Sequence, residues 1–282
     1  MVISVLTMMG HILLALSGCA IAFLLLLLLV RLKYERSIRE IWRSLKSHPS
    51  DAVFSQDTVA HLDEPVQRYF LHAIAPGTKL AKYVELEMNG SFRLLPDRAW
   101  HNMEASQIIS TVPGFIWKAN LGKRVTSFSG ADYYSKYRGR TKFSLWGLIP
   151  LVDAQSRDVD RSAAGRLGAE YIWLPSALLS HRGVDWKAIS DHTIQANFSI
   201  DSEPICLILT IDHDGRLLEL SLPRWGNANP ETSWHYSTFI ADMLEETTFE
   251  GYTIPTKLNA GWLEQNEYWI FFRSTLKLAR FS

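Results

Sequence analysis

The sequence predicts a mainly β (α+β) protein, in which a curved antiparallel sheet or half-barrel packs on a few helices behind one N-terminal transmembrane helix. Three observations lead to this prediction. Residues 2–30 contain no Asp, Glu, Lys or Arg. From residue 78 onward, apolar and polar residues alternate with period two in several segments. These segments follow one another through short turns, which favours antiparallel pairing, and a sheet of many strands is expected to curl.

Composition excludes several classes of protein. The 282 residues include 29 Lys+Arg and 29 Asp+Glu, so no overall basic field favours nucleic acid. A hydrophobic content of 47% excludes a disordered chain. Without the membrane segment, the remaining length fits one large domain or two small ones.

The uncharged N-terminus is long enough to cross a hydrocarbon core of about 30 Å at about 1.5 Å per residue. We predict a transmembrane anchor over residues 1–31, in the bacterial inner membrane, with the lipid bilayer as partner. Two alternatives are a cleaved signal peptide and a lipoprotein box at residues 16–19, with a lipid on Cys19. The eleven uncharged residues that follow Cys19 favour the retained helix.

The flanks of this segment predict its orientation. Six basic residues follow it closely: Arg31, Lys33, Arg36, Arg39, Arg43 and Lys46. By the positive-inside rule, the C-terminal domain is expected in the cytoplasm. Residues 32–60 are predicted to form a basic juxtamembrane helix and a linker. This helix has two interpretations, an amphipathic segment lying on the leaflet and a solvated stalk.

Residues 61–282 are predicted to form a soluble, β-rich domain. It begins with a short helix, which Asp63 caps and Pro76-Gly77 ends. Another helix is expected within residues 153–179, breaking near Trp173. Residues 231–242 fit a helix or a strand equally well.

The strand signals vary in kind along this domain. Residues 83–88 and 193–201 each have one apolar face, and Asn89-Gly90 predicts a hairpin turn after the first of them. Residues 205–211 are apolar nearly throughout, which predicts a central strand covered on both faces.

Motifs for common chemistries are absent from the sequence. It has no phosphate-binding glycine loop, no dinucleotide fingerprint and no GxSxG element, so no cofactor is predicted. The segment Asp212-His213-Asp214 is interpreted as a surface turn rather than a metal site. The basic aromatic stretch 133–143 is interpreted as a solvated edge rather than a nucleic-acid site.

Glu170 stands out because Ala169, Ile172 and Trp173 surround it in sequence. A carboxylate in such surroundings either pairs with a cation or has a raised pKa. The candidate partners are three arginines with aromatic neighbours: Arg224, Arg138 and Arg140. A structural ion pair is the favoured interpretation. The alternative is a hydrolase or isomerase that uses Glu170 as general base and Arg224 to bind an anionic substrate.

The segment AEYIWLPSALL, residues 169–179, resembles the mark of an uncharacterised family of bacterial proteins of unknown function. PVQRYF at 65–70 and FEGYTIPTKLNAGW at 249–262 extend the resemblance over most of the soluble part. It implies no activity and no catalytic residue. The order of helix and meander also resembles the lipoprotein-carrier fold of the LolA type, in which a curved sheet holds an acyl chain. Such carriers work in the periplasm, opposite to the side that the charge rule predicts.

The aromatic residues predict a ligand site within the curved sheet. Rings beyond the needs of one sheet face would enclose an apolar pocket for a lipid-like or other hydrophobic ligand. The alternative is that each ring simply fills the core. The predicted ligand-binding residues are Trp117, Glu170, Trp173, Arg224 and Trp262.

Overall fold

The computed structural model describes residues 2–123, 127–227, 233–264 and 267–282, with side chains from residue 9 onward. These residues form three α-helices: α1 Val2–Leu45, α2 Glu64–Ala73 and α3 Arg157–Glu170. They also form thirteen strands: β1 Tyr83–Phe92, β2 His101–Ser110, β3 Gly114–Leu121, β4 Phe128–Ser135, β5 Arg138–Leu145, β6 Ile149–Ala154, β7 Asp185–Ser190, β8 Thr193–Ile200, β9 Glu203–Ile211, β10 Leu217–Gly226, β11 His235–Phe249, β12 Tyr252–Glu264 and β13 Glu267–Phe281.

All thirteen strands belong to one open antiparallel sheet. Its order is β6-β5-β4-β3-β2-β1-β13-β12-β11-β10-β9-β8-β7, so β6 and β7 are the two edges. Helix α3 connects these edges and contacts both β3–β5 and β8–β10. One helix touches strands so far apart in the order because the sheet curves around it. The predicted fold class, a curved antiparallel sheet with a few helices and an N-terminal apolar helix, is confirmed.

Both internal helices lie where the sequence predicts helices. Asp63 occupies the N-cap position of α2 but makes no side-chain cap hydrogen bond; its carboxylate accepts instead from the Ala188 backbone N–H at 2.8 Å. Helix α2 buries Val66, Tyr69 and Phe70. The Ser156 side chain caps α3 by accepting a hydrogen bond from the Val159 backbone N–H at 3.2 Å. Helix α3 ends at Glu170, and a 3₁₀ turn carries the chain on through Trp173.

The predicted hairpin turn at Asn89-Gly90 is wrong. Strand β1 continues through both residues and pairs with β2 and β13 on its two sides. A Cβ atom at Gly90 would overlap the backbone carbonyl of Arg273 on β13. Glycine at this position therefore allows close approach of two strands rather than a reversal of the chain.

Two other strand predictions are decided by burial and pairing. In β9, Leu207 and Leu209 are buried while Cys206 and Ile208 are half-buried, so only one face is fully covered. The prediction of a strand covered on both faces is wrong there. Residues 235–249 form strand β11, and 231 and 232 lie outside the described residues.

Helix α1 is continuous from the apolar segment into the basic one, and its second half packs on the convex face of the sheet. A small core joins them: Ile38, Leu45, Ile108, Ile116, Ala131 and Tyr133. The Lys118 ammonium lies 2.6 Å from Glu35, and Trp42 Nε1 donates to Glu85 at 2.8 Å. Neither a leaflet helix nor a solvated stalk describes residues 31–45, because the sheet covers their apolar side.

From residue 9 to residue 30, nearly every side chain of α1 is exposed. Its most apolar 18-residue window has a mean hydropathy of 2.9 and no buried residue. Length and composition therefore suit a membrane span, and a signal sequence would show the same pattern.

Candidate ligand-binding cavity

A cavity of about 570 Å³ lies between α3 and the concave face of the sheet. Its size falls in the range of ordinary small-molecule sites. Ten aromatic side chains line it, from the strands and from the turn after α3: Phe92, Trp117, Phe128, Phe143, Trp173, Phe239, Trp262, Trp269, Phe271 and Phe272. Several of these rings contact one another, as Phe239 and Trp262 do edge to face at 5.4 Å between centroids. The wall is thus a continuous aromatic surface.

The structure brings all five predicted ligand-binding residues to this cavity. Trp117 projects from β3, Arg224 from β10 and Trp262 from β12. Glu170 is the last residue of α3, and Trp173 follows in the 3₁₀ turn, with Nε1 donating to the Pro255 carbonyl at 2.9 Å. Residues distant in sequence therefore share one wall, and their role as ligand contacts stays a prediction.

The side of α3 that faces the cavity is polar or small. Ser162, Arg166, Ala169 and Glu170 line it, at spacings of four, seven and eight residues that place them on one helical stripe. Gly165 lies beside this stripe, where a Cβ atom would meet Arg224 Cγ at 3.0 Å. The helix thus approaches β10 closely and presents polar groups to an otherwise aromatic chamber.

Arg166 is the centre of a buried ion-pair network. Its Nε lies 2.7 Å from Glu170 Oε1 and its Nη1 lies 2.6 Å from Asp132 Oδ2. The second oxygens of the two carboxylates accept hydrogen bonds from Gln107 Nε2 at 2.5 Å and from Thr141 Oγ1 at 2.9 Å. The guanidinium also lies over the rings of Phe115 and Trp117. Each carboxylate oxygen therefore has a protein partner.

Burial raises the pKa of the Glu170 carboxyl, and the Arg166 guanidinium opposes that shift. Burial and repulsion by Arg166 lower the pKa of Arg224 to about 10. Arg224 is therefore still a cation at neutral pH. The two arginines and the two carboxylates bring no net charge to the cavity when all four groups are ionised.

Arg224 differs from Arg166 because it has no carboxylate within ion-pair distance in the described part of the chain. Its Nε donates to the Ser162 carbonyl at 3.2 Å, and its Nη2 lies 3.4 Å from Ser162 Oγ. The guanidinium lies 5.2 Å from the Trp262 ring and 5.3 Å from the Phe239 ring. A cation held against aromatic rings at a cavity wall can accept an anionic group.

Two further polar atoms at the wall lack hydrogen-bond partners among the described residues. Trp117 is 5% exposed, and its Nε1 donor is unpaired. The amide oxygen of Asn227, three residues after Arg224, is an unpaired acceptor. A buried polar atom without a partner is costly, so a ligand or water in the cavity is expected to satisfy it.

The predicted partners of Glu170 are wrong. Arg138 pairs with Asp160 at 3.5 Å, Arg140 pairs with Asp153 at 2.8 Å, and Arg224 influences Glu170 only at longer range. The direct partner is Arg166, which the sequence analysis missed. The signal was available, because residues four apart on a helix are neighbours on its surface.

Asp212, His213 and Asp214 lie in the turn between β9 and β10, and one ligand atom of each lies within 4.8 Å of the others. The turn brings together side chains that an extended chain would separate. Asp212 Oδ1 accepts hydrogen bonds from the backbone N–H groups of Asp214 and Arg216 at 2.9 and 3.0 Å. These two hydrogen bonds stabilise the turn, which gives Asp212 a structural role there.

Solved structures similar to this chain have low sequence identity to it. A LolA superfamily protein from Nitrosomonas europaea is 8% identical with a TM-score of 0.40, covering 82% of this chain and 94% of its own. A domain from Vibrio parahaemolyticus, described as an outer-membrane lipoprotein-sorting protein, is 8% identical with a TM-score of 0.39, covering 71% and 85%. A DUF1329 family protein from Desulfovibrio piger is 8% identical with a TM-score of 0.34, covering 71% and 86%. At this level the similarity does not extend to a ligand or an activity.

No curated protein matches the sequence. The model of a family of unknown function, DUF6544, matches residues 52–274. This range includes α2, α3 and the cavity, and it agrees with the predicted resemblance to an uncharacterised family. The chain therefore belongs to the DUF6544 family of unknown function.

Proposed function

We propose that the protein is a membrane-anchored binder of a lipid-like molecule that carries an anionic group. The observation that carries this proposal is one cavity that combines aromatic side chains with a half-buried cation, Arg224, outside any ion pair of the described residues. The aromatic wall would cover the apolar part of the ligand, and Arg224 would bind its anionic end.

The size of the cavity supports a ligand rather than a packing defect. Protein interiors are close-packed, and voids much larger than a water molecule are few. A pocket of about 570 Å³ whose lining is mainly apolar would gain contacts and bury apolar surface when a ligand fills it. The unpaired Trp117 Nε1 would give that occupant a hydrogen-bond donor.

The exposed half of α1 supports the anchor. Continuous apolar surface of this length is stable when lipid covers it, and the basic residues from Arg31 onward favour the cytoplasmic side for the domain. The binding site would then be held at a membrane surface.

No observation favours the hydrolase or isomerase alternative. Arg166 and Gln107 occupy the two oxygens of Glu170, as expected for the structural ion pair. A general base needs an oxygen directed at the substrate proton.

Native mass spectrometry of the full-length protein, purified in a mild detergent, tests the proposal. We expect a co-purified lipid-like molecule, or 1:1 uptake of added dodecanesulfonate. The complex with the ligand should be absent for Ala241→Phe, because the new ring would occupy the cavity that Ala241 lines. The same change at exposed Ala60, outside the cavity, should leave it intact. Recovery of the wild-type chain with no adduct before or after addition would contradict the proposal.

A further inference from the structure

The cavity opens at one end of the sheet. The residues of α1 that directly follow its uncharged segment lie beside the same end. The turns at this end include those between β1 and β2, β3 and β4, and β5 and β6, because Phe92 pairs with His101, Leu121 with Phe128 and Leu145 with Ile149. We call it the turn end. Cavity-lining residues cluster here: Phe92, Leu94, His101, Leu121, Phe128 and Leu151.

Contacts along α1 place the turn end next to the uncharged segment. Arg31, the first charged residue after that segment, donates to the Trp146 carbonyl in the β5–β6 turn at 3.5 Å. Leu45 lies at the opposite end, against Gly114 at the start of β3. From Arg31 to Leu45 the helix rises about 21 Å, at about 1.5 Å per residue. A bilayer that covers residues up to 30 would therefore meet the turn end first.

The exposed residues at the turn end suit a membrane surface. Around the β5–β6 turn, four large apolar side chains are at least 43% exposed: Trp146, Ile149, Leu151 and Val152. Leu94, in the β1–β2 turn, is 69% exposed and lines the cavity with Leu151 and Val152. Tryptophan and apolar side chains at this level match the composition of membrane interfaces, and the nearby Arg31 and Arg98 can bind anionic headgroups.

We infer that the β5–β6 turn and strand β6 rest in the headgroup region of the leaflet that α1 leaves, so that the mouth of the cavity opens onto that leaflet. The inference rests on the proposed function in one respect, the retention of α1 as an anchor. Strand β6 is a sheet edge with unpaired backbone groups, which limits its insertion to the hydrated headgroup layer. A lipid that moves out of the leaflet along its own axis then enters the cavity with its headgroup first, towards Arg224.

Depth measurements on the full-length protein test this placement. The protein, with Cys19→Ala and Cys206→Ser, is reconstituted in nanodiscs of phosphatidylcholine and phosphatidylglycerol at 3:1. A single cysteine carries the environment-sensitive fluorophore NBD at Ile149→Cys. The control is Val112→Cys, 52% exposed in the β2–β3 turn at the opposite end of the sheet.

We expect blue-shifted emission at position 149 and quenching at least threefold stronger than at 112 by lipids with a nitroxide near the headgroup. Equal, weak quenching at both positions would overturn the inference. Uptake of dodecanesulfonate by the same labelled protein in detergent is measured alongside. Uptake without quenching contradicts only the membrane contact, whereas absence of uptake contradicts the proposed function.

Discussion

The two faces of the sheet both meet a helix, and the cavity lies on the concave face, beneath α3. On the convex face, α1 presents large side chains such as Ile38 and Leu45, which are 3% and 2% exposed. On the concave face, α3 presents Ser162, Arg166, Ala169 and Glu170 and leaves a cavity of about 570 Å³. The sheet supplies apolar surface to both helices. The difference lies in the helices, because the polar and small residues of α3 leave room for a ligand, although the larger of the two cores also lies on the concave side.

The largest expected effect concerns the network that holds α3 above the cavity. Arg166→Met would leave the Asp132 and Glu170 carboxylates buried without their cation. We expect a loss of about 3–5 kcal/mol in the free energy of unfolding. Urea titration of the full-length protein in detergent measures it.

Arg138→Met is the matched control, because its pair with Asp160 is 3.5 Å long and the Arg138 side chain is 63% exposed. This substitution should lower the free energy of unfolding by about 0–1 kcal/mol. Equal losses for the two variants would contradict a structural role for the network.

The next effect tests the packing of the convex face. Ile38→Ala removes buried methyl groups from the contact between α1 and the sheet and should cost about 2–4 kcal/mol. The midpoint of urea unfolding, followed by tryptophan fluorescence, reports the loss. An unchanged midpoint would mean that the second half of α1 does not pack on the sheet.

A matched pair of alanines compares the two faces directly. Ala131 is 1% exposed in the core under α1, and Ala260 is 4% exposed at the cavity wall. Ala131→Leu should destabilise the fold by about 1–3 kcal/mol through overpacking. Ala260→Leu has free volume to enter, so its midpoint of unfolding should stay within experimental error or rise. If Ala260→Leu destabilised the protein more than Ala131→Leu, the free volume would lie under α1 and not in the cavity, which would contradict the comparison.

The smallest effect is a pH dependence of binding. Arg224 has its pKa lowered to about 10, so its charge, and with it the affinity for an anion, is lost as the pH rises through that value. The affinity for dodecanesulfonate, which stays ionised, should be constant from pH 7 to 9 and then fall. Isothermal titration of wild type and Arg224→Gln checks this. The variant should bind about tenfold more weakly at pH 7, by the loss of about 1.4 kcal/mol, and show no such decline.

Local signals predicted the elements well, and long-range contacts account for the errors. The spacing of Val66 and Phe70 indicates α2 because amphipathicity acts within a few residues. Asn89-Gly90 resembles a turn, yet a strand distant in sequence needs the small residue there. The docking of α1 was also beyond prediction, because its partners lie on strands whose positions only the whole sheet determines.

The five predicted ligand-binding residues line the cavity, their role as ligand contacts stays a prediction, and the ion-pair partner of Glu170 was predicted wrongly. Trp117 and Trp262 line the cavity because a curved sheet brings its concave side chains together, and Trp173 joins them from the turn after α3. The pairing of Glu170 with Arg166 follows from a four-residue helical spacing, and aromatic neighbours proved a poorer guide to the partner. Asp132 could not be predicted, since only the docking of α3 on β4 places it beside Arg166.

The central claim is that the cavity binds an apolar anion. The most direct measurement is isothermal titration of the full-length protein in detergent with dodecanesulfonate and with dodecyltrimethylammonium, which has the same chain and the opposite charge. We predict 1:1 binding of the sulfonate, at least tenfold tighter than that of the ammonium and abolished by Ala241→Phe. Binding of neither compound, or equal binding of both that Ala241→Phe leaves unchanged, would contradict it.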